Sequence, residues 1–461
     1  MNTNDRSSYI RNHRSGHLSS ISQTAEHAID DLPPITVTDR LGIASKYCHF
    51  MSLTATNVEA PSEIEHVLSG DLSEPQQLAT LLIRVRRHLH QNPELGLHEF
   101  NTSRFIRAVL ETHGLTVVGP LAETGLYVDI VGDHPGPMIG YRADIDALPI
   151  QDQKSVEYKS VNQGIAHLCG HDAHTAMAIG VAVYLDHHRD RLHGTARVFF
   201  QPNEEGIPSG APLMIRDGVL EGMSAVFAAH VDPTVESGKY GLMTGAVTAS
   251  ADRFRVRVIA GSTGHSARPH QATDPIWIAT QIMSDMYQML GRISDPRKPA
   301  VVAICRMRAG EAYNVIPDEA EFGGTFRCTA NEDRAVFKQQ IERTAKYVGE
   351  GHGATVEVDF DLGSPPVVND GELIDAVRDT IIEERGQEAI FNIPVPSMGA
   401  EDFAHYLDHV PGALIRIGTC NSPDTAHVLH DSRFDIDESA MTPASIMLGN
   451  AMIRLLEQKA S

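Results

Sequence analysis

One stretch limits the possible folds more than any other. Between residues 252 and 360 the pattern runs strand, helix, strand, strand, helix, strand. Residues 252–259 alternate apolar and polar positions through Phe254, Val256 and Val258, as a half-buried strand does, and 275–290 have helical spacing. Residues 300–307 and 320–326 read as strands, 334–348 as a helix and 354–360 as a strand. That order is the βαββαβ unit of ferredoxin-like sheets.

On either side of this unit the rhythm is different. Leu78, Leu81, Leu82, Val85 and Leu89 recur at helical spacing, with Ser73 and Gln76 placed as a capping box and Asn92-Pro93 as the stop. A second helix carries Phe105, Ile106, Val109 and Leu110 and stops at Gly114. Short apolar strands at 126–131, 138–141, 196–200 and 225–229 then alternate with a helix at 172–186. Helices at 373–384, 401–407 and 443–456 and a strand at 413–417 resume the alternation. The expectation is an α/β protein: a three-layer α/β catalytic domain with an inserted ferredoxin-like satellite domain. The divisions fall at 1–72 (a loose polar extension), 73–248, 249–362 and 363–461, and 461 residues exceed what one core ordinarily holds.

Composition narrows the function classes. A formal charge of −22 argues against a nucleic-acid partner, whose phosphates it would repel. No apolar run is long enough to span a bilayer, and the polar start lacks the apolar stretch of a secretory signal, so no membrane partner is expected. Met51 is a candidate alternative start. Five scattered cysteines do not read as a disulfide framework, which points to a reducing, cytoplasmic setting.

Four clusters carry chemistry. Asp144 and Asp146 follow a buried strand, where they form either a solvated loop or an acid pair that needs a partner. His167-Leu-Cys-Gly-His-Asp-Ala-His174 crowds thiol, imidazole and carboxylate at a helix start. Cys169 and His171 there suit a borderline-soft metal such as zinc, with Asp172 and His174 as supports that fix the ligand tautomer. The rival reading of Cys169 is a small buried hydrophobe, and of Asp172 a helix N-cap. Glu204 and Glu205 follow another strand and diverge on a turn, so that one can bind metal while its neighbour takes a proton from water. His230 ends a strand and His430 lies near the C-terminus; each alone reads as structural. Their conjunction at strand ends of one α/β domain is where such domains place a site.

Taken together these motifs resemble the M20 metallopeptidase family, in particular its amidohydrolases: aminoacylases, hippurate hydrolases and auxin-conjugate hydrolases. The matching stretches include Arg87-His-Leu-His-Gln-Asn-Pro-Glu-Leu95, Arg142-Ala-Asp-Ile-Asp-Ala-Leu-Pro149, Cys169-Gly-His-Asp-Ala-His174, Gln201-Pro-Asn-Glu-Glu-Gly206, Gly264-His-Ser-Ala-Arg-Pro-His270 and Gly399-Ala-Glu-Asp-Phe403. The resemblance implies two divalent metal ions per subunit (zinc, manganese, cobalt or nickel) held by Cys169, His171, Glu205, His230 and His430. It implies Glu204 as general base, Asp144 as the acid supporting the ligands, and His265 as the histidine that stabilises the oxyanion. Asn314 and Arg327 resemble substrate-binding residues of the satellite domain, through which a homodimer is implied. The implied substrate is a small amide, an N-acyl amino acid, cleaved to a carboxylic acid and an amino acid. Carboxypeptidase or dipeptidase action on short peptides is the alternative, and a metal-binding protein without turnover the non-enzymatic one. Asn203, where the family commonly has alanine, Ser262-Thr263 before His265, and Asp431-Ser432 after His430 depart from the family pattern.

Overall fold

The computed structural model describes Leu72 and residues 74–460; the expected extension and Met51 otherwise lie outside the described residues. Helix α1 spans Pro75–Gln91 and α2 spans Phe100–Thr112. The N-cap of α1 is Glu74, with no side-chain cap bond, and proline opens the helix, where its missing N–H costs nothing. The capping box expected on Ser73 and Gln76 is therefore displaced: Gln76 sits inside the first turn, and Ser73 is outside the described residues. Gly114 follows α2 at φ +79°, a conformation that favours glycine.

The next elements are β1 (Val117–Leu121), β2 (Gly125–Val131), β3 (His134–Asp144), α3 (His171–His187), β4 (His193–Gln201), α4 (Gly210–Arg216), β5 (Met223–Glu236), β6 (Tyr240–Leu242) and β7 (Gly245–Ala246). Then come β8 (Asp252–Ile259), β9 (Gly264–His265), α5 (Pro275–Ile293), β10 (Ala300–Ala309), β11 (Val315–Ile316), β12 (Glu319–Cys328), α6 (Asn331–Gly351) and β13 (Thr355–Leu362). The chain closes with β14 (Val368–Asn369), α7 (Gly371–Arg385), β15 (Ile390–Asn392), α8 (Ala404–Leu407), β16 (Gly412–Cys420) and α9 (Met441–Ala460).

Eight strands form one sheet in the order β1-β2-β4-β3-β5-β16-β6-β15. Its centre, β4-β3-β5-β16, is parallel, so the carboxyl ends of those four strands share one edge. Both faces are covered, as a parallel sheet requires. Val198, Phe200, Phe227 and Ile415 turn toward α3 and α9, while Phe199, Val226, Ala228 and Leu414 turn toward Met214, Phe403 and Tyr406 on the other side. The expected helix at 401–407 is shorter than its pattern implied. It begins at Ala404, and Glu401 and Asp402 lie before it as buried carboxylates.

The second sheet has the order β10-β12-β8-β13, with every pair antiparallel. Phe254, Val256 and Val258 face α5 and α6, packing on Ile278, Ile282, Phe337 and Ile341. Arg255 and Arg257 alternate with them on the open face. This is the ferredoxin-like arrangement expected for 252–360. A two-residue ribbon pairs His265 of β9 with Val315 of β11.

Candidate active site

The parallel strands aim their carboxyl ends at one place. Asp144 is the last residue of β3, Glu204 and Glu205 lie on the turn after β4, and His230 is inside β5. Cys169 and His171 straddle Gly170, which has φ +87° and caps α3. A Cβ at Gly170 would lie 2.3 Å from Val231 Cγ2, so only glycine lets this loop close against β5. His430 arrives from the far end of the chain. It has φ +69°, and its N–H donates to the Leu168 carbonyl at 2.7 Å.

These residues interlock. Cys169, His171 and His230 offer donor atoms within 4.8 Å of one another; so do Cys169, Glu205 and His430, and so do His171, Glu204 and Glu205. Cys169 Sγ is 3.6 Å from His230 Nε2, and His430 Nε2 is 2.9 Å from Glu205 Oε1. The donor set fits divalent metal: thiol, imidazole and carboxylate converge, and the buried His171 Nε2 has no hydrogen-bond partner.

Backbone and acid contacts orient the rings. His171 donates from Nδ1 to the Asp146 carbonyl at 2.9 Å and lies 3.1 Å from Asp146 Oδ1, leaving Nε2 toward the cluster. His230 donates from Nδ1 to the Val231 carbonyl at 2.8 Å. Asp146 also accepts from Glu205 N at 3.1 Å, tying two corners of the site. The support expected of Asp172 and His174 is therefore supplied by Asp146. Asp172 is held by Arg86 and His90, and His174 bridges Asp144 Oδ1 (2.7 Å) and Val231 N (3.0 Å). Nor is Asp172 the N-cap of α3; that position is Gly170.

Electrostatics differ sharply over a few ångströms. Burial pushes the Cys169 thiol up to about 12, so metal must displace its proton. Burial and the neighbouring His174 and Arg416 hold His230 well below the usual histidine range. Burial opposes charge on Asp144, but His171, His174 and Arg142 outweigh it and hold its carboxyl well below the usual range. Glu204 goes the other way: burial, then Glu401, Asp402 and Glu205, raise it well above a normal glutamate.

A cavity of about 580 Å³ opens on this cluster, and both sheets contribute to its wall. Arg327 of β12 lines it and donates to the Met398 carbonyl at 2.9 Å. His265 and Asn314 are not brought there. Both are exposed, His265 in the β9–β11 ribbon and Asn314 just before β11, and neither lines the cavity. Sequence reasoning reads Asp146 only as half of an acid pair and gives no role to Arg142, Glu401 or Asp402, although all four stand in the quoted motifs. The wholly buried Arg142 reaches Asp144 at 2.7 Å, Asp402 at 2.7 Å and Glu401 at 3.1 Å. Their signal was an arginine and acid pairs at strand ends, which burial would force into partnership. Asn203 is explained as well. It sits at φ +55°, a region asparagine tolerates, and its amide donates to the Pro208 carbonyl at 2.8 Å.

Fold and donor cluster together define a metal-dependent hydrolase. Residues 140–452 match Peptidase family M20/M25/M40, and the chain belongs to that family. Bacillus subtilis N-acetyl-L-cysteine deacetylase is 39% identical over 388 residues, 84% of this chain and 91% of that protein. Thermostable carboxypeptidase 2 of Saccharolobus solfataricus is 35% identical over 376 residues, 79% of this chain and 93% of that protein. A solved Bacillus subtilis structure described as a dinuclear metal binding peptidase of the M20 family superposes with a TM-score of 0.74 at 36% identity, covering 83% of this chain and 99% of that one. The chain is accordingly an enzyme that hydrolyses amides. Among the described residues no helix is long and apolar enough to cross a membrane.

Proposed function

We propose that this enzyme cleaves the amide bond of N-acyl amino acids, releasing a carboxylic acid and an amino acid. The observation that carries the reading is Glu204, a half-buried carboxylate on the cavity wall that shares the donor cluster with His171 and Glu205. In this reading Cys169, His171, Glu205, His230 and His430 hold two divalent ions, and Asp144 stands beside them, 3.7 Å from His171 Nε2. When bound, the ions supply Lewis-acid activation of water and of the amide carbonyl. Glu204 accepts the proton released as water attacks and delivers it to the leaving amine. Arg327 pairs with the substrate carboxylate, for which a planar guanidinium is shaped. The part assigned to His265 requires its ribbon to reach the cavity, by closure of the four-stranded unit or from a second copy of the chain.

Glu204→Gln tests the assignment. Metal content should stay at the wild-type level while turnover of N-acetyl amino acids falls by about 10²–10⁴-fold, the usual worth of a positioned acid–base group. Near-normal turnover would remove Glu204 from the mechanism. The carboxypeptidase likeness supports a second reading, removal of C-terminal residues from short peptides with the same machinery. Relative kcat/KM for N-acetyl amino acids and the matching dipeptides separates the two.

A further inference from the structure

The cavity wall holds a cation that the reaction as proposed does not use. Arg416 lies on β16 in register with His230 of β5. Paired residues of adjacent strands leave a sheet on the same face, so Arg416 and His230 stand side by side. Both line the cavity, as do Leu429 and His430. Leu414, two residues earlier, belongs to the apolar layer on that face, which fixes the direction of Arg416 by the pleat.

Arg416 is half-buried, yet among the described residues it has no ion pair and no side-chain hydrogen bond. Four acids line the cavity: Glu401 pairs with Arg142 at 3.1 Å, Asp252 with Arg334 at 2.7 Å and Glu205 with His430 at 2.9 Å, and Glu204 accepts from Asp402 N at 3.3 Å. The two wholly buried arginines of the same sheet region, Arg86 and Arg142, each hold three carboxylates. A guanidinium left without a counter-ion in a cavity wall is placed to receive an anion from solution, and its planar fork matches a carboxylate.

We infer that Arg416 binds a second substrate carboxylate, so that the preferred substrates are N-acyl amino acids with two carboxylates rather than one. This rests on the amide-hydrolase reading above, with Arg327 taking the first carboxylate. The second has two chemical sources, an acidic amino-acid side chain or a dicarboxylic acyl group. The comparison of N-acetyl-L-alanine, N-acetyl-L-glutamate and N-succinyl-L-alanine separates them.

The experiment measures kcat and KM for these three amides with the metal-loaded wild type, Arg416→Met and Arg416→Lys, with metal content recorded for each. The wild type should favour one dicarboxylate over N-acetyl-L-alanine, and which one identifies the source. In Arg416→Met that preference should drop by at least about tenfold, mainly through KM, the scale of one charge-assisted hydrogen bond. Arg416→Lys should recover part of it. A wild type that does not discriminate, a preference that survives Arg416→Met, or an equal loss for all three amides that follows a loss of metal would each overturn the inference. If none of the three is turned over, the hydrolase reading fails separately. Calorimetric binding of the same compounds to metal-loaded Glu204→Gln then decides, and equal affinity for one and two carboxylates counts against Arg416.

Discussion

The two sheets use charge in opposite ways. Around the large sheet two arginines are buried and surrounded. Arg142 holds Asp144, Glu401 and Asp402, and donates from Nε to Gln201 Oε1 at 2.8 Å. Arg86 holds Asp172 and Glu438 at 3.0 Å each, and Asp435. On the open face of the four-stranded sheet the pairs are exposed: Arg255 with Asp359 at 2.6 Å, and Arg257 with Glu319 and Glu357 at 3.2 Å. A buried pair is costly to desolvate and costlier to break, whereas an exposed one contributes little. Buried charge is thus concentrated where carboxylates must be fixed to a fraction of an ångström. The exposed pairs keep a sheet face wet and its strands in register.

Substitution should separate the two regimes most clearly at Arg142. Arg142→Met strands Asp144, Glu401 and Asp402, and should cost about 3–5 kcal/mol in urea unfolding together with a marked loss of metal affinity. A cost no greater than that of removing an exposed arginine would erase the distinction. Acid should act next. Burial opposes the charge on Asp152 and Asp172, but His90 and two backbone N–H groups hold Asp152 below the usual carboxylate range, as Arg86 and His90 do Asp172. A carboxyl whose pKa is lower folded than unfolded stabilises above its unfolded value and loses that contribution as pH falls through the folded one. Stability should therefore decline below about pH 4, the ordinary aspartate value. Asp152→Asn should flatten that decline in thermal melts across pH, and an unchanged slope would show that the buried network is not its source. The smallest effect belongs to the open sheet face. Arg257→Ala should shift stability by less than about 1 kcal/mol, and by less still in 1 M salt.

Much of this architecture was legible in the sequence because it rests on periodicity. Phe254, Val256 and Val258 announced a strand with one buried face, and that strand sits where the pattern put it. The helix at Pro75–Gln91 was plain from its leucines, though its cap was not, since Glu74 makes no side-chain bond to reveal it. β6 and β15 went unread because three residues carry too little pattern, and the proline and glycine in β1 disguise an edge strand. The donors of the site could be read as residue types in motifs. Their supports could not, because Asp146 and Arg142 act through partners that become neighbours only after folding. The helix at 401–407 was overextended for a related reason: Asp402 stands four residues before Tyr406, a helical spacing, but it and Glu401 are drawn into the arginine network instead.

The bond from His430 N to the Leu168 carbonyl has a consequence for how the enzyme is made. Cys169 and His171 leave the ribosome long before the segment with His430, Asp435 and Glu438, which completes both the donor cluster and the anchorage of Arg86. During synthesis the earlier donors wait as an unfinished set, and the thiol of Cys169 lacks the neighbours that later enclose it. Until that segment is made, the donor cluster lacks His430 and Arg86 lacks two of its three carboxylates.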